Sequence, residues 1–140
     1  MTQKVRDVMT PGPVMLAREA TVAQAAKLMR DQGIGDVLVI EDGERLCGVV
    51  TDRDIVVRAV AETRDVTVTP IGALCSSDVA TVTPDQDADE VVRLMRQKAV
   101  RRVPVVENGH PVGIVTIGDM AVDRDPSSAL SDISAAPPNN

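Results

Sequence analysis

The chain repeats itself. Leu28-Met29-Arg30 returns as Leu94-Met95-Arg96, and TVAQAAKLMRDQGIGDVLVIEDG lines up with DADEVVRLMRQKAVRRVPVVENG. Past the following turn the alignment slips by one residue, so that Gly48-Val49-Val50-Thr51 matches Gly113-Ile114-Val115-Thr116. Two copies of one supersecondary unit fill residues ~5 to ~122, and two copies point to a pseudo-twofold pair, not a solenoid. A chain of 140 residues accommodates two such repeats around a shared core. It buries about two-thirds of its unfolded surface, which needs no disulfide or metal.

Each copy has the same local logic. Thr21-x-x-Gln24 is a capping box, and Asp87-x-x-Glu90 mirrors it with Asp as the N-cap. Val22, Ala25, Ala26 and Met29, like Ala88, Val91, Val92 and Met95, recur at the spacing of one buried helix face. The helices are expected to stop near Gly33 and Ala99. Two short β-branched runs, Val37 to Ile40 and Val103 to Val106, read as strands. Asp42-Gly43 and Asn108-Gly109 supply the positive φ angles of tight hairpin turns. The return strands are Leu46 to Val50 and Val112 to Val115. Second helices begin at Thr51 and Thr116, the first carrying Ile55, Val56, Ala59 and Val60.

A short segment precedes each copy. Thr2 is placed to cap a turn carrying Val5, Val8 and Met9. Thr69-Pro70 is placed to cap one carrying Ile71 and Leu74, with Pro at the first helical position. Ala61 to Thr69 reads as a polar linker. These features divide the chain into motif 1 (1–62), motif 2 (63–124) and a tail (125–140). The tail is rich in Ser, Ala, Pro and Asn, and disorder is expected there.

Composition excludes several functions. There is no Phe, Trp or Tyr, so no ring is available to stack on a nucleic-acid base. A net charge of -6 disfavours nucleic acid and anionic membranes, which need clustered Lys and Arg. No run approaches the ~20 apolar residues of a membrane span. The N-terminus lacks the apolar region of a secretory signal, so a cytoplasmic protein is expected. The single histidine, His110, excludes a multi-histidine metal site. No nucleophile–base pair, metal-ligand set or glycine-rich phosphate loop is found, and no enzyme activity and no required cofactor are expected. Cys47 and Cys75 read as reduced, buried small hydrophobes. Met9, Met29, Met95 and Met120 read as core. The acidic cluster Asp85, Asp87, Asp89 and Glu90 complements a helix dipole.

The ordered pieces Val5-Arg6-Asp7-Val8-Met9-Thr10, Val103-Pro104-Val105, GVVTDRD and GIVTIGD resemble a tandem pair of CBS domains, the Bateman module named after cystathionine β-synthase. The likeness covers all but the tail. It implies an α/β (α+β) fold of two pseudo-symmetric motifs, each a small sheet packed with two helices. The run GVVTDRDIVVRA is further similar to stand-alone two-motif proteins, among them mycobacterial hypoxia-response proteins.

Gly-x-x-Thr-x-x-Asp occurs as Gly48, Thr51, Asp54 and as Gly113, Thr116, Asp119. At a strand-to-helix junction this is first of all a capping box, worth ~1 kcal/mol. The resemblance adds a second role, with Asp54 or Asp119 on ribose hydroxyls and Thr51 or Thr116 and the helix N-terminus toward a phosphate. It also places Arg102 on phosphate, an Arg fork being suited to that geometry, and adds Thr10, Val103 and Pro104. Asp36 and Leu38 stand where Arg102 and Pro104 stand, so the two sites are chemically unequal; Arg53 offsets this in part. The resemblance implies a regulatory module, without an attached effector domain, that takes an adenine nucleotide (AMP, ADP, ATP or a relative) in the cleft between the motifs. The alternative is a structural or protein-interaction module acting under stress, whose caps only hold the fold. Surplus apolar helix surface at Val56, Val57 and Val60 implies a homodimer.

Overall fold

The computed structural model describes residues 3–124. Along the chain they form α1 (Val5–Val8), β1 (Thr10–Pro11), β2 (Met15–Ala17), α2 (Val22–Gln32), β3 (Asp36–Glu41), β4 (Arg45–Thr51), α3 (Asp52–Ile55), α4 (Ala88–Lys98), β5 (Arg102–Glu107), β6 (His110–Thr116) and α5 (Ile117–Arg124). The expected Thr2 cap and the tail lie outside the described residues. Helices and small sheets of this kind make an α+β fold. The strands, the strand-to-helix junctions and the helix ends at Gly33 and Ala99, both left-handed, fall where the patterning places them.

The compact units are not the two halves of the chain. One is Val14–Val79; among the described residues the other joins residues 3–13 to residues 80–124. The expected division at 62 and 63 follows the repeats along the chain, but in space each short leading segment packs with the other repeat. Val5 is wholly buried with Val91, Val103 and Val115. Ile71 and Leu74 are wholly buried with Val22, Val37 and Val50. Burying these apolar side chains is worth roughly 1.5–3 kcal/mol each, which binds the segments to those cores.

In the unit of residues 14–79 the sheet order is β2-β3-β4, with β2 parallel and β4 antiparallel to β3. Helix α2 crosses from β2 to β3 and buries Val22, Ala25 and Met29. Ala26, expected on that face, is exposed, because the buried stripe is narrower than the run of apolar residues. The first three amide donors of α2 are all satisfied. Val22 N donates to Thr69 O, Ala23 N to Val66 O, and Gln24 N to the Thr21 hydroxyl. The 61–69 loop is therefore docked on a helix start through its carbonyls. Pro70 is the N-cap of the turn Ile71–Ala73, not its first residue, and Thr69 makes no cap bond there; its hydroxyl donates to Asp65 O at 2.7 Å.

In the other unit the order is β1-β6-β5, both pairings antiparallel. The strand equivalent to β2 shrinks to one parallel bridge, Val82 to Val105, in the register that joins Leu16 to Val39. Helix α4 buries Ala88, Val91 and Met95. Its expected capping box does not form: Asp87 makes no side-chain cap bond. Gln3 O takes the Ala88 amide, and Glu90 accepts from Gln86 Nε2 at 2.7 Å.

The two hairpins explain the slip in the repeat. Asn108 (φ 54°) and Gly109 (φ 85°) form a two-residue turn between Glu107 and His110. The first hairpin pairs Glu41 with Arg45 across Asp42, Gly43 and Glu44. Its positive φ angles fall on Gly43 (72°) and Glu44 (64°), one residue later than expected. Glu44 is the inserted residue.

Candidate functional site

Each central strand returns through β4 or β6 into a helix, and the junction is closed by a reciprocal pair of hydrogen bonds. Thr51 N donates to Asp54 Oδ2 at 2.8 Å, and Asp54 N donates to the Thr51 hydroxyl at 3.1 Å. Thr116 N donates to Asp119 Oδ2 at 2.9 Å, and Asp119 N to the Thr116 hydroxyl at 3.0 Å. Both capping boxes are complete. The Asp carboxylates are part-buried, turned to the backbone and anchored on one oxygen. The other oxygen of Asp54 lies 3.7 Å from Arg58 Nε, a half-exposed pair of small energetic weight.

The residue across from each Thr differs between the repeats. Cross-strand register puts Asp36 opposite Thr51 and Arg102 opposite Thr116. Asp36 is buried, whereas Arg102 is exposed. Around Thr51 stand Asp36, Asp52, Arg53 and Asp54, a net negative set; around Thr116 stand Arg101, Arg102 and Asp119, a net positive one. Arg53 is exposed beside Asp52, whose Oδ1 accepts from the Arg53 amide at 2.8 Å. Thr10 sits on β1 opposite Ile114 of β6. Val103 is wholly buried in the core and Pro104 is buried too, so Val103, expected at the ligand, presents it no surface and serves the core instead. The predicted residues thus gather as two groups: Thr51, Arg53 and Asp54 in one unit, and Thr10, Arg102, Pro104, Thr116 and Asp119 in the other.

The glycines of the motif have a role that capping does not explain. A Cβ on Gly48 would lie 2.3 Å from Ser76 O, and one on Gly113 would lie 2.6 Å from Met9 Sδ and 3.0 Å from Thr10 O. In each unit the leading segment crosses at this point, through the Val49–Ser76 bridge or the Pro11–Gly113 pairing. The repeat itself held that signal, since Ser76 and Thr10 occupy matching positions ahead of each copy.

A cavity of about 550 Å³ opens in the unit containing β5, lined by Val92, Met95, Arg96, Ala99, Val100, Arg101, Ile117 and Met120. None of the predicted nucleotide residues lines it. Among the described residues no group of three or more His, Cys, Asp or Glu is placed to hold a metal ion. No helix among them is long and apolar enough to cross a membrane. Met29, Met95 and Met120 are buried and Met9 half-buried. Cys47 and Cys75 are half-buried, more open than the expected core thiols.

These repeats define a class of protein. The CBS domain model matches residues 5–61 and 71–122, and the chain belongs to the CBS-domain family. Among its relatives, the CBS domain-containing protein YhcV of Bacillus subtilis is 36% identical over 134 residues, covering 93% of this chain and 94% of that protein. Hypoxic response protein 1 of Mycobacterium tuberculosis is 35% identical over 116 residues, covering 83% of this chain and 81% of that protein. A crystal structure of Hypoxic Response Protein I with two coordinated zinc ions superposes with a TM-score of 0.79 at 34% identity, covering 86% of this chain and 98% of that one. The CBS pair of MJ0100, in complex with 5′-methylthioadenosine and S-adenosyl-L-methionine, shares the fold at a TM-score of 0.80 and 24% identity, covering 91% of this chain and all of that one. The chain is thus a tandem CBS protein similar to stand-alone members of the family.

Proposed function

We propose that this chain is a non-catalytic regulatory module that binds an adenine nucleotide. Ribose is taken by the Asp119 carboxylate and phosphate by Arg102 beside the Thr116 helix start. The observation that supports the reading is the register of Arg102 opposite Thr116, across from a capped helix start, with Arg101 next to it in the chain. Helix starts and Arg forks both favour phosphate. The MJ0100 CBS pair, which shares the fold and is in complex with two adenosine-containing ligands, agrees with it. Binding would shift the module between arrangements that hold the nucleotide unequally.

The first repeat favours a second, purely structural reading for its own cap. Asp36 replaces the phosphate-directed Arg, and Asp54 is engaged by Thr51 N on one side and Arg58 on the other. Calorimetric titration of wild type, Arg102→Ala, Asp119→Ala and Asp36→Arg with AMP and adenosine separates the readings. Arg102→Ala is expected to lose on the order of tenfold for AMP and to keep adenosine, since only a charge-assisted phosphate contact is removed. Asp119→Ala is expected to weaken both ligands. Asp36→Arg is expected to create or strengthen phosphate binding in the first repeat. Absence of binding in four folded proteins would leave the caps structural and the chain an interaction module.

The same reading includes a homodimer. Val56, Val57 and Val60 are 58%, 44% and 59% exposed on the single π-helical turn that continues α3. Apolar surface of this kind marks an interface, and a monomeric mass by light scattering at micromolar concentration would exclude it.

A further inference from the structure

Two thiols meet inside the unit of residues 14–79. Cys47 comes from β4, and Cys75 follows the turn Ile71–Ala73. The missing side chain of Gly48 makes room, since a Cβ there would lie 3.0 Å from Cys75 Sγ. The Cys75 thiol donates to Gly72 O at 3.6 Å and lies close enough to the Cys47 side chain to feel it electrostatically. Both cysteines are half-buried.

A cation rests on this pair from one side. Arg18 Nη1 donates to Cys47 Sγ at 3.8 Å and to Glu41 Oε2 at 2.9 Å. Its Nε packs on the turn that carries Cys75, 3.1 Å from where a Gly72 Cβ would stand. The Glu41 and Cys47 side chains in turn hold the Arg18 guanidinium above its ordinary pKa. Burial pushes the Cys75 thiol up. The environments are therefore unequal: Cys47 has a guanidinium donor on its sulfur, and Cys75 keeps its proton against a backbone carbonyl. A cationic donor favours the sulfur that carries negative charge during attack.

We propose that Cys47 and Cys75 form an oxidation site at which a hydroperoxide closes a disulfide within one unit, Cys47 attacking and Cys75 resolving. Cys47 sulfur attacks the terminal oxygen of the hydroperoxide. An S–O bond forms, the O–O bond breaks, and the leaving oxygen takes the thiol proton to depart as water or an alcohol. The product on Cys47 is a sulfenic acid. Cys75 sulfur then attacks Cys47 sulfur. An S–S bond forms, the S–O bond breaks, and the hydroxyl leaves with the Cys75 proton as water. Two thiols are oxidised by two electrons, and the hydroperoxide is reduced by two. The new bond ties β4 to the 71–76 segment next to the Val49–Ser76 bridge.

The test treats the full chain with hydrogen peroxide, quenches by alkylation and maps peptides without reduction. Wild type is expected to lose both thiols together and to yield a peptide linking Cys47 to Cys75 of the same chain. Cys75→Ser is expected to stop at a sulfenic acid on Cys47 that dimedone captures. Cys47→Ser is expected to stay reduced over the same interval. Arg18→Gln is expected to slow disulfide formation on the order of tenfold. Independent oxidation of the two sulfurs to sulfinic acids, or a link only between chains, would overturn the site. Wild-type rates in Arg18→Gln, or a sulfenic acid on Cys75 in Cys47→Ser, would overturn the order of attack. The wild-type map decides the first question even if a variant fails to fold.

Discussion

The two units are two solutions to one repeat, and they differ where a ligand would be discriminated. Both end their return strand in a complete Thr–Asp box, and both use a glycine there to admit a crossing segment. Across from the box one unit sets a buried Asp36 and the other an exposed Arg102. What is common to both serves the backbone: hydrogen bonds at a helix start and the space for a chain to pass. What differs is side-chain charge on that common frame. The lesson is that a shared motif in this fold reports folding chemistry first, and ligand chemistry has to be sought in what the copies do not share.

The largest test of that comparison is at the two glycines. Gly48→Ala drives a Cβ into Ser76 O, a backbone atom that side-chain rotation cannot move; Gly113→Ala first meets Met9 Sδ, the far end of a flexible side chain. Denaturant unfolding is expected to show a loss of about 3 kcal/mol for Gly48→Ala and about 1 kcal/mol for Gly113→Ala. Equal losses would mean that the crossing is equally tight in both units.

The caps should behave alike. Thr51→Ala and Thr116→Ala each remove one hydroxyl acceptor from an equivalent box, so each should cost about 1 kcal/mol by the same measurement. A clear excess for one of them would show that its junction carries more than a cap.

Helix ends give a smaller contrast of opposite sign. Gly33 at φ 66° and Ala99 at φ 54° terminate α2 and α4 in the same left-handed conformation. Ala99→Gly is expected to stabilise by roughly 0.5–1 kcal/mol, and Gly33→Ala to destabilise by a similar amount. Thermal melts of the pair check both signs.

The smallest effect lies in the 61–69 loop. The Thr67 hydroxyl and amide both donate to Asp65 Oδ1, which holds that carboxyl below its ordinary pKa. A carboxyl depressed in the folded state contributes stability above its unfolded pKa and loses it as pH falls through the folded one. Thr67→Val should therefore raise the Asp65 midpoint followed by NMR and slightly reduce the acid sensitivity of unfolding. An unchanged midpoint would show that the backbone amide alone holds the shift.

Much of this protein was legible one residue at a time. Periodicity located α2 and α4, β-branched runs located β3 and β5, and Thr-x-x-Asp located both helix starts, because each depends on contacts within a few residues. The misread details are those in which a distant partner satisfied the same need. The box at Asp87 gave way where the Glu90 carboxylate accepts from Gln86 Nε2 and the Glu90 amide donates to the Asp87 carbonyl. The turn at Asp42 shifted because one extra residue, Glu44, had to be absorbed before β4 could pair. The candidate site was legible as residue types; that Arg102 faces Thr116, and that Val103 belongs to the core, came from strand register.

By itself, then, the order of residues determined the repeat, its elements, its caps and the inequality of Asp36 and Arg102. Only the tertiary structure decided that residues 3–13 complete the unit of the second repeat and residues 70–76 that of the first. It also decided why Gly48 and Gly113 must lack side chains, and which two sulfurs meet. The physical reason is range. Propensity and capping act over one helical turn and can be read along the chain. The burial of Val5, Ile71 and Leu74, and the nearness of Cys47 to Cys75, depend on which surfaces the folded chain brings together.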